Sequence, residues 1–309
     1  MIRILVLFIF LFAIFFDGDK LYLPWSLNEL DQTIIYNLRM PRTFLAFFIG
    51  GSLSLCGLIY QSLFKNDLAS PFTLGTAASS SFGACLALFL GLGYLVSSFA
   101  ILAAMVNLLL ILYVFKKQNS FLGHIILLTG VIMSYFFSSL VMLLQVLSDK
   151  AQLKQMIFWI LGDLNTVGSS GVLLAATMSI FLLGFFTFYS KSLSRLAVGE
   201  TFAMNNGVNV NKTRTILLIV SSVVVAVLVG ICGPIGFVGI IIPHFVKQLK
   251  GARIERIGFD TFIYGGTFLV VCEYGSQNIL ANYSIPVGIV TSFLGAPFFL
   301  TKLLRRKLH

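Results

Sequence analysis

The chain has 309 residues, of which 58% are hydrophobic and only 10% charged, and its formal net charge is +10. A soluble domain carries about 25% charged residues, so this composition excludes one. Apolar runs of roughly 18–20 residues fit a hydrocarbon core about 30 Å thick and exclude a transmembrane barrel, whose strands are about 10 residues long and alternate with period two.

The expected fold is all-α and polytopic, with ten spans in a single transmembrane domain over residues 1–309. The first, Ile4–Phe16, follows Arg3; it lacks a small-x-small cleavage pattern and leads into Asp17-Gly18-Asp19, so it reads as a retained span. A polar loop, Asp17 to Met40, precedes the second span, Pro41–Phe64. The third is Pro71–Leu92, the fourth Val96–Phe115 and the fifth Leu122–Leu147. The stretch SDKAQLKQMIFWILGDLN then predicts an external helix. The sixth span is Gly171–Tyr189. After a polar interruption come Thr215–Cys232, Phe237–Gln248, Ile257–Ser276 and Ile285–Leu304.

With the N-terminus inside, sixteen Lys and Arg fall on the inner side and five on the outer. Lys and Arg concentrate in cytoplasmic loops, so both termini are expected in the cytoplasm. The net positive charge is accounted for in this way, and no basic and aromatic stretch stands apart from the spans to suggest nucleic acid. The polar interruption, residues 191–214, is then cytoplasmic as well. Within it SRLAVGETFAMNNG predicts a short amphipathic helix, with Leu196, Val198, Phe202 and Ala203 apolar and Gly207 as its C-terminal stop.

Arg39 and Arg42, in RMPRT, defy the charge bias. At the outer surface they form either a cationic patch able to grip carboxylates or a headgroup anchor. GPIGFVGIIIPH combines Pro234 with Gly233, Gly236 and Gly239, all of which weaken helix. Broken backbone at membrane depth must be buried in protein or line a wet cavity, so this stretch is either a pathway-lining turn or a tight outer hairpin. Arg42-Thr43 and Arg214-Thr215 open spans running in opposite directions, and Cys56-Gly57 and Cys232-Gly233 follow them, a faint inverted repeat. Cys56, Cys85, Cys232 and Cys272 show no C-x-x-C spacing and read as small buried hydrophobes; His124, His244 and His309 form no ligand cluster, so neither metal nor cofactor is expected.

RMPRTFLAFFIGGSLSLCGLIYQSLFKNDLASPFTLG, MIFWILGDLN, LAVGETFAMNNGVNV, GPIGFVGIIIPH and IPVGIVTSFLGAPFFL, in that order, resemble the permease subunits of bacterial iron–siderophore and cobalamin ABC importers, the FecCD-like family. The resemblance runs from about Arg39 to Arg306. It implies ten helices per subunit in the cytoplasmic (inner) membrane and a translocation path shared with a second permease subunit. It also implies two ATP-binding subunits, docked here through Leu196, Gly199, Glu200, Ala203 and Gly207, and an external binding protein that meets Arg39 and Arg42 and delivers a ferric siderophore. Two departures stand out. Asp67 occupies the proline of the family's Asn-Pro-Leu-Ala turn, and Gln277 falls where some members carry a further outer arginine.

No G-x-x-x-x-G-K-[ST] loop occurs, so ATP hydrolysis falls to a separate chain and this subunit is expected to be non-enzymatic. Haem or cobalamin is the alternative cargo. The rival class, an ion-coupled secondary transporter, would need ionisable groups at mid-membrane; the acids sit at span ends or in loops, with Glu273 the one that could lie deep.

Overall fold

The computed structural model describes residues 2–17, 20–21, 28–117, 123–164, 168–251, 253–279 and 285–306. The parts of the first external loop at 22–27, of the Lys116–Leu122 turn and of the C-terminal tail, with His309, lie outside the described residues.

The helices follow one another as α1 (Ile2–Phe15), α2 (Glu29–Ile34), α3 (Met40–Phe64), α4 (Thr76–Phe89), α5 (Val96–Lys117), α6 (Gly123–Leu147), α7 (Lys150–Ile160), α8 (Ser169–Val198), α9 (Glu200–Asn205), α10 (Val210–Cys232), α11 (Val238–Lys250), α12 (Ile254–Asn278) and α13 (Val287–Arg306). Among the described residues the only strands are a two-residue pair, Phe16–Asp17 against Lys20–Leu21. Five described helical stretches are long and apolar enough to cross a membrane: 31–64, 93–117, 123–147, 169–198 and 210–232.

The bundle is built around α3. Every residue from Ile49 to Phe64 is buried, whereas α6 and α8 leave most of their apolar side chains on the outside. A helix apolar all round belongs in the centre of a membrane bundle, and one with a bare apolar face belongs against lipid. Small residues let the partners of α3 come close: Gly50 and Ser54 face Gly265 of α12, Gly51 faces Phe262 and Gly266 faces Phe47, and a Cβ on Gly57 would overlap the Gly239 carbonyl of α11. Between helices, hydroxyls supply the polar contacts. Ser52 and Ser179 lie 2.8 Å apart through their Oγ atoms, as do Tyr60 Oη and Ser222 Oγ.

Three expectations shift. The second span starts earlier than Pro41: Asn28, Glu29 and Asp31 open α2, and a π-helical turn at Ile35–Arg39 joins it to α3, with the Met40 N–H bonded to the Ile35 carbonyl. A proline normally marks a helix start because it lacks an N–H; here the wider turn absorbs that loss. The third span does not run unbroken from Pro71. Residues Phe72–Leu74 form a single 3₁₀ turn and Gly75 turns left-handed, φ 75°, before α4 begins. The amphipathic helix expected across Gly199 is split there, α8 continuing to Val198 and α9 covering six residues. The helix expected in SDKAQLKQMIFWILGDLN is present as α7, opened by a capping box in which the Gln152 N–H donates to Asp149 Oδ1 at 2.7 Å.

Helix lengths also make the repeat visible. From α3 to α6 they run 25, 14, 22 and 25 residues; from α10 to α13 they run 23, 13, 25 and 20. Each series is a long helix, a broken turn, a half-length helix and two long helices.

Candidate functional site: a cleft between two broken helices

Breaking a helix inside a membrane leaves carbonyls without their N–H partners, and each must find another donor. At the first break Asn107 Nδ2 on α5 donates to the Leu74 carbonyl at 2.9 Å, and Thr76 Oγ1 donates to the Pro71 carbonyl. At the second, Gly233–Phe237, the Asp163 N–H caps the Cys232 carbonyl at 2.9 Å. Here three glycines let backbone meet backbone: Gly162 and Gly288 touch the Pro234 carbonyl and Gly233 touches that of Trp159. Gly233 (φ 71°) and Gly162 (φ 74°) are left-handed. Phe237 also has positive φ, 66°, which for a bulky side chain costs on the order of 1–3 kcal/mol that the surrounding packing must hold.

The two breaks meet in one place. Phe72, Ala77 and Ala78 from the first, Pro234, Gly236 and Phe237 from the second, and Ile289, Ser292 and Phe293 of α13 line an open cleft of about 800 Å³. Among the described residues, no charged side chain lines it. A pair of interrupted apolar segments in corresponding positions of two halves is where transporters place their path. Pro234 and Gly236 line the cleft, while Gly233 packs beside them against the Trp159 carbonyl. Gly239 does not line it: it lies in the first turn of α11, against the Leu53 carbonyl of α3. The first break was missed from sequence, although Pro71 and Gly75 bracket it and were its signal.

At the end of the bundle rich in Lys and Arg, α9 sits on α10. Leu196, Ala203, Val208 and Val210 form a small buried cluster, so the first two face inward. Val198, Phe202 and Met204 are exposed apolar side chains beside them. Glu200 Oε1 accepts from Arg214 Nη2 at 2.7 Å, the guanidinium 4% exposed and the carboxylate 49%. Arg195 Nη1 donates to the Asn206 carbonyl at 3.2 Å. Gly207 (φ 75°) ends α9, its N–H on the Met204 carbonyl, with open space where a side chain would be. Gly199 is simply extended.

At the opposite end Arg39 is 8% exposed and its Nη1 donates to the Phe16 carbonyl at 2.9 Å, so it is turned inward; Arg42 is half-buried. Glu273 is buried near the end of α12, accepting from Gln277 Nε2 at 2.6 Å. Gln277, the residue at the departing position, is therefore engaged with its own helix.

A bundle of long apolar helices with two broken turns facing one cleft defines the class: a membrane permease. The comparisons with known proteins place it further. The FecCD transport family model matches residues 4–305, and the chain belongs to that family. It is 35% identical to the ABC transporter permease protein MJ0087 of Methanocaldococcus jannaschii over 88% of this chain and 82% of that one. It is 32% identical to the molybdate import system permease protein MolB of Haemophilus influenzae, covering 89% and 82%, and 29% identical to the Fe(3+)-citrate import system permease protein YfmD of Bacillus subtilis, covering 92% and 85%. A solved inward-facing conformation of a metal-chelate type ABC transporter superposes with a TM-score of 0.90 at 29% identity, over 98% of this chain and 97% of that one.

Proposed function

We propose that this permease carries an iron chelate of the siderophore type across the cytoplasmic membrane, driven by ATP hydrolysed on two separate subunits. The observation that carries the reading is the cleft: about 800 Å³, uncharged, and framed by both broken turns. A bulky organic chelate buries apolar surface in such a space. A compact oxyanion such as molybdate needs cations or converging N–H donors, and among the described residues the cleft lining offers no cation. Haem or cobalamin, also large, is the second reading on the same grounds.

The cleft is open along α13, and Phe293 beside it is 81% exposed. A second permease subunit covers this face and completes the path. The positive-inside rule puts the Lys- and Arg-rich end in the cytoplasm. There the ATP-binding subunit docks on the exposed Val198, Phe202 and Met204. Leu196 and Ala203 hold α9 in place from below, and Glu200, Gly199 and Gly207 set its direction. At the outer end a binding protein's carboxylates meet Arg42, with Arg39 fixing the helix that presents it.

The experiment is uptake of labelled ferric siderophore, haemin, cobalamin and molybdate into proteoliposomes holding the assembled importer. Uptake of the ferric chelate that requires ATP and the ATP-binding subunits is expected. Uptake that persists without ATP and collapses with the proton gradient would instead make the chain an ion-coupled carrier.

A further inference from the structure

Pro243 lies inside α11 and has no N–H for the Gly239 carbonyl four residues back. The gap is filled from α3: Gln61 Nε2 lies 3.5 Å from the Gly239 carbonyl and donates to that of Ile240 at 3.2 Å. The other end of the same amide is committed too, Gln61 Oε1 accepting from Lys247 Nζ at 2.9 Å. Lys247 Nζ then stands 3.6 Å from Asp67 Oδ1, and His244 Nδ1 3.9 Å from Asp67 Oδ2. Asp67 belongs to the turn after α3; Lys247 and His244 lie one turn apart on α11. A single connected string of polar groups therefore runs from a half-exposed carboxylate to a wholly buried amide and ends on the backbone that Pro243 left open.

The string has a direction. α11 begins at Val238, immediately after Phe237, whose side chain lies against Gly295 and lines the cleft. Any tilt of α11 away from α3 moves Phe237 and separates Lys247 from Asp67 or from Gln61. A buried amide fixes position, whereas the Asp67 carboxylate, 3.6 Å from the ammonium and 38% exposed, is the member of the string that water can reach and replace. One end of the string is thus anchored and the other releasable.

We propose that Asp67 and Gln61 hold Lys247 as a releasable latch that keeps α11 closed on α3 at the basic end of the path, and that Lys247 is a positioning residue for the access change during transport. The proposal rests on the permease reading. It also gives a use to Asp67, the residue that departs from the family's turn: here the turn itself carries the carboxylate that receives the lysine.

The test uses no substrate and no ATP. The full chain, in the assembled importer, carries Ala78→Cys in the cleft as a reporter; the native Cys56, Cys85, Cys232 and Cys272 are buried. Inside-out membrane vesicles are labelled with a membrane-impermeant maleimide. Asp67→Asn and Lys247→Gln are expected to raise the labelling rate about fivefold, the lower end of coupling between two conformational states, while Lys247→Arg and Asp67→Glu label at the parent rate. Parent-rate labelling in both neutral variants overturns the latch, as does an equal rise in the charge-keeping ones. Should Lys247→Gln fail to fold, Asp67→Asn at its half-exposed position decides alone. Uptake by the parent importer in proteoliposomes, measured separately with ATP and labelled chelate, reports on the permease reading.

Discussion

The pairing of Arg214 with Glu200 shows how one residue ties function to stability. An arginine 4% exposed at the start of α10 is tolerable because a carboxylate stands 2.7 Å away, since a buried charge left without its partner is strongly destabilising. Glu200→Gln should lower stability by about 1–3 kcal/mol, discounted for the exposure of the carboxylate, read as the melting temperature of the purified chain in detergent. It should also weaken coupling, because α9 then rides loosely on α10; more ATP hydrolysed per chelate taken up is the expected sign. At Gly207, open space surrounds a left-handed backbone, so Gly207→Val should cost about 1–2 kcal/mol through conformation alone, with no clash. A melting temperature unchanged by that substitution would show that the turn relaxes. Arg39 is the residue whose role was least visible in the sequence. Its charge and its place near Pro41 suggested a docking group, but only the π-helical turn, which rotates it inward onto the Phe16 carbonyl, reveals it as buried.

Among the elements, the long apolar helices could be read directly from the sequence because lipid solvation leaves one strong signal, an unbroken apolar run. The breaks were harder. Gly233-Pro234 announces itself by composition, whereas Pro71 to Gly75 looks like an ordinary helix entry until the Asn107 side chain is seen bonded to the Leu74 carbonyl from a different helix. No local pattern can encode that, since the donor lies 33 residues away. Asn107→Leu should therefore leave a buried carbonyl unsatisfied and cost about 1–3 kcal/mol, measured by thermal unfolding; a smaller loss would mean that water enters the break. Close helix packing gives a larger effect. Gly57→Leu drives a side chain into the Gly239 carbonyl, and separating α3 from α11 should remove folded, monodisperse protein on size-exclusion chromatography, the outcome of overpacking at a backbone contact.

At the scale of the whole molecule, α8 has 30 residues, which makes it about 45 Å long at 1.5 Å per residue. The hydrocarbon layer it crosses is about 30 Å thick. Roughly a third of the helix therefore stands clear of the acyl chains or tilts to stay within them, and α9 is carried on that overhang. The depth of α9 is set by the lipid as well as by the protein. Bilayers of longer acyl chain draw the overhang in, and shorter ones push it out, so the height of the proposed docking site for an ATP-binding subunit changes with membrane thickness. Reconstitution in a series of phosphatidylcholines of increasing chain length should give transport that peaks at an intermediate length, while ATP hydrolysis by the partner subunits varies less. Lipid length then acts as a throttle on the motor's grip, and a cell that adjusts its acyl chains with temperature would retune this importer without changing its sequence.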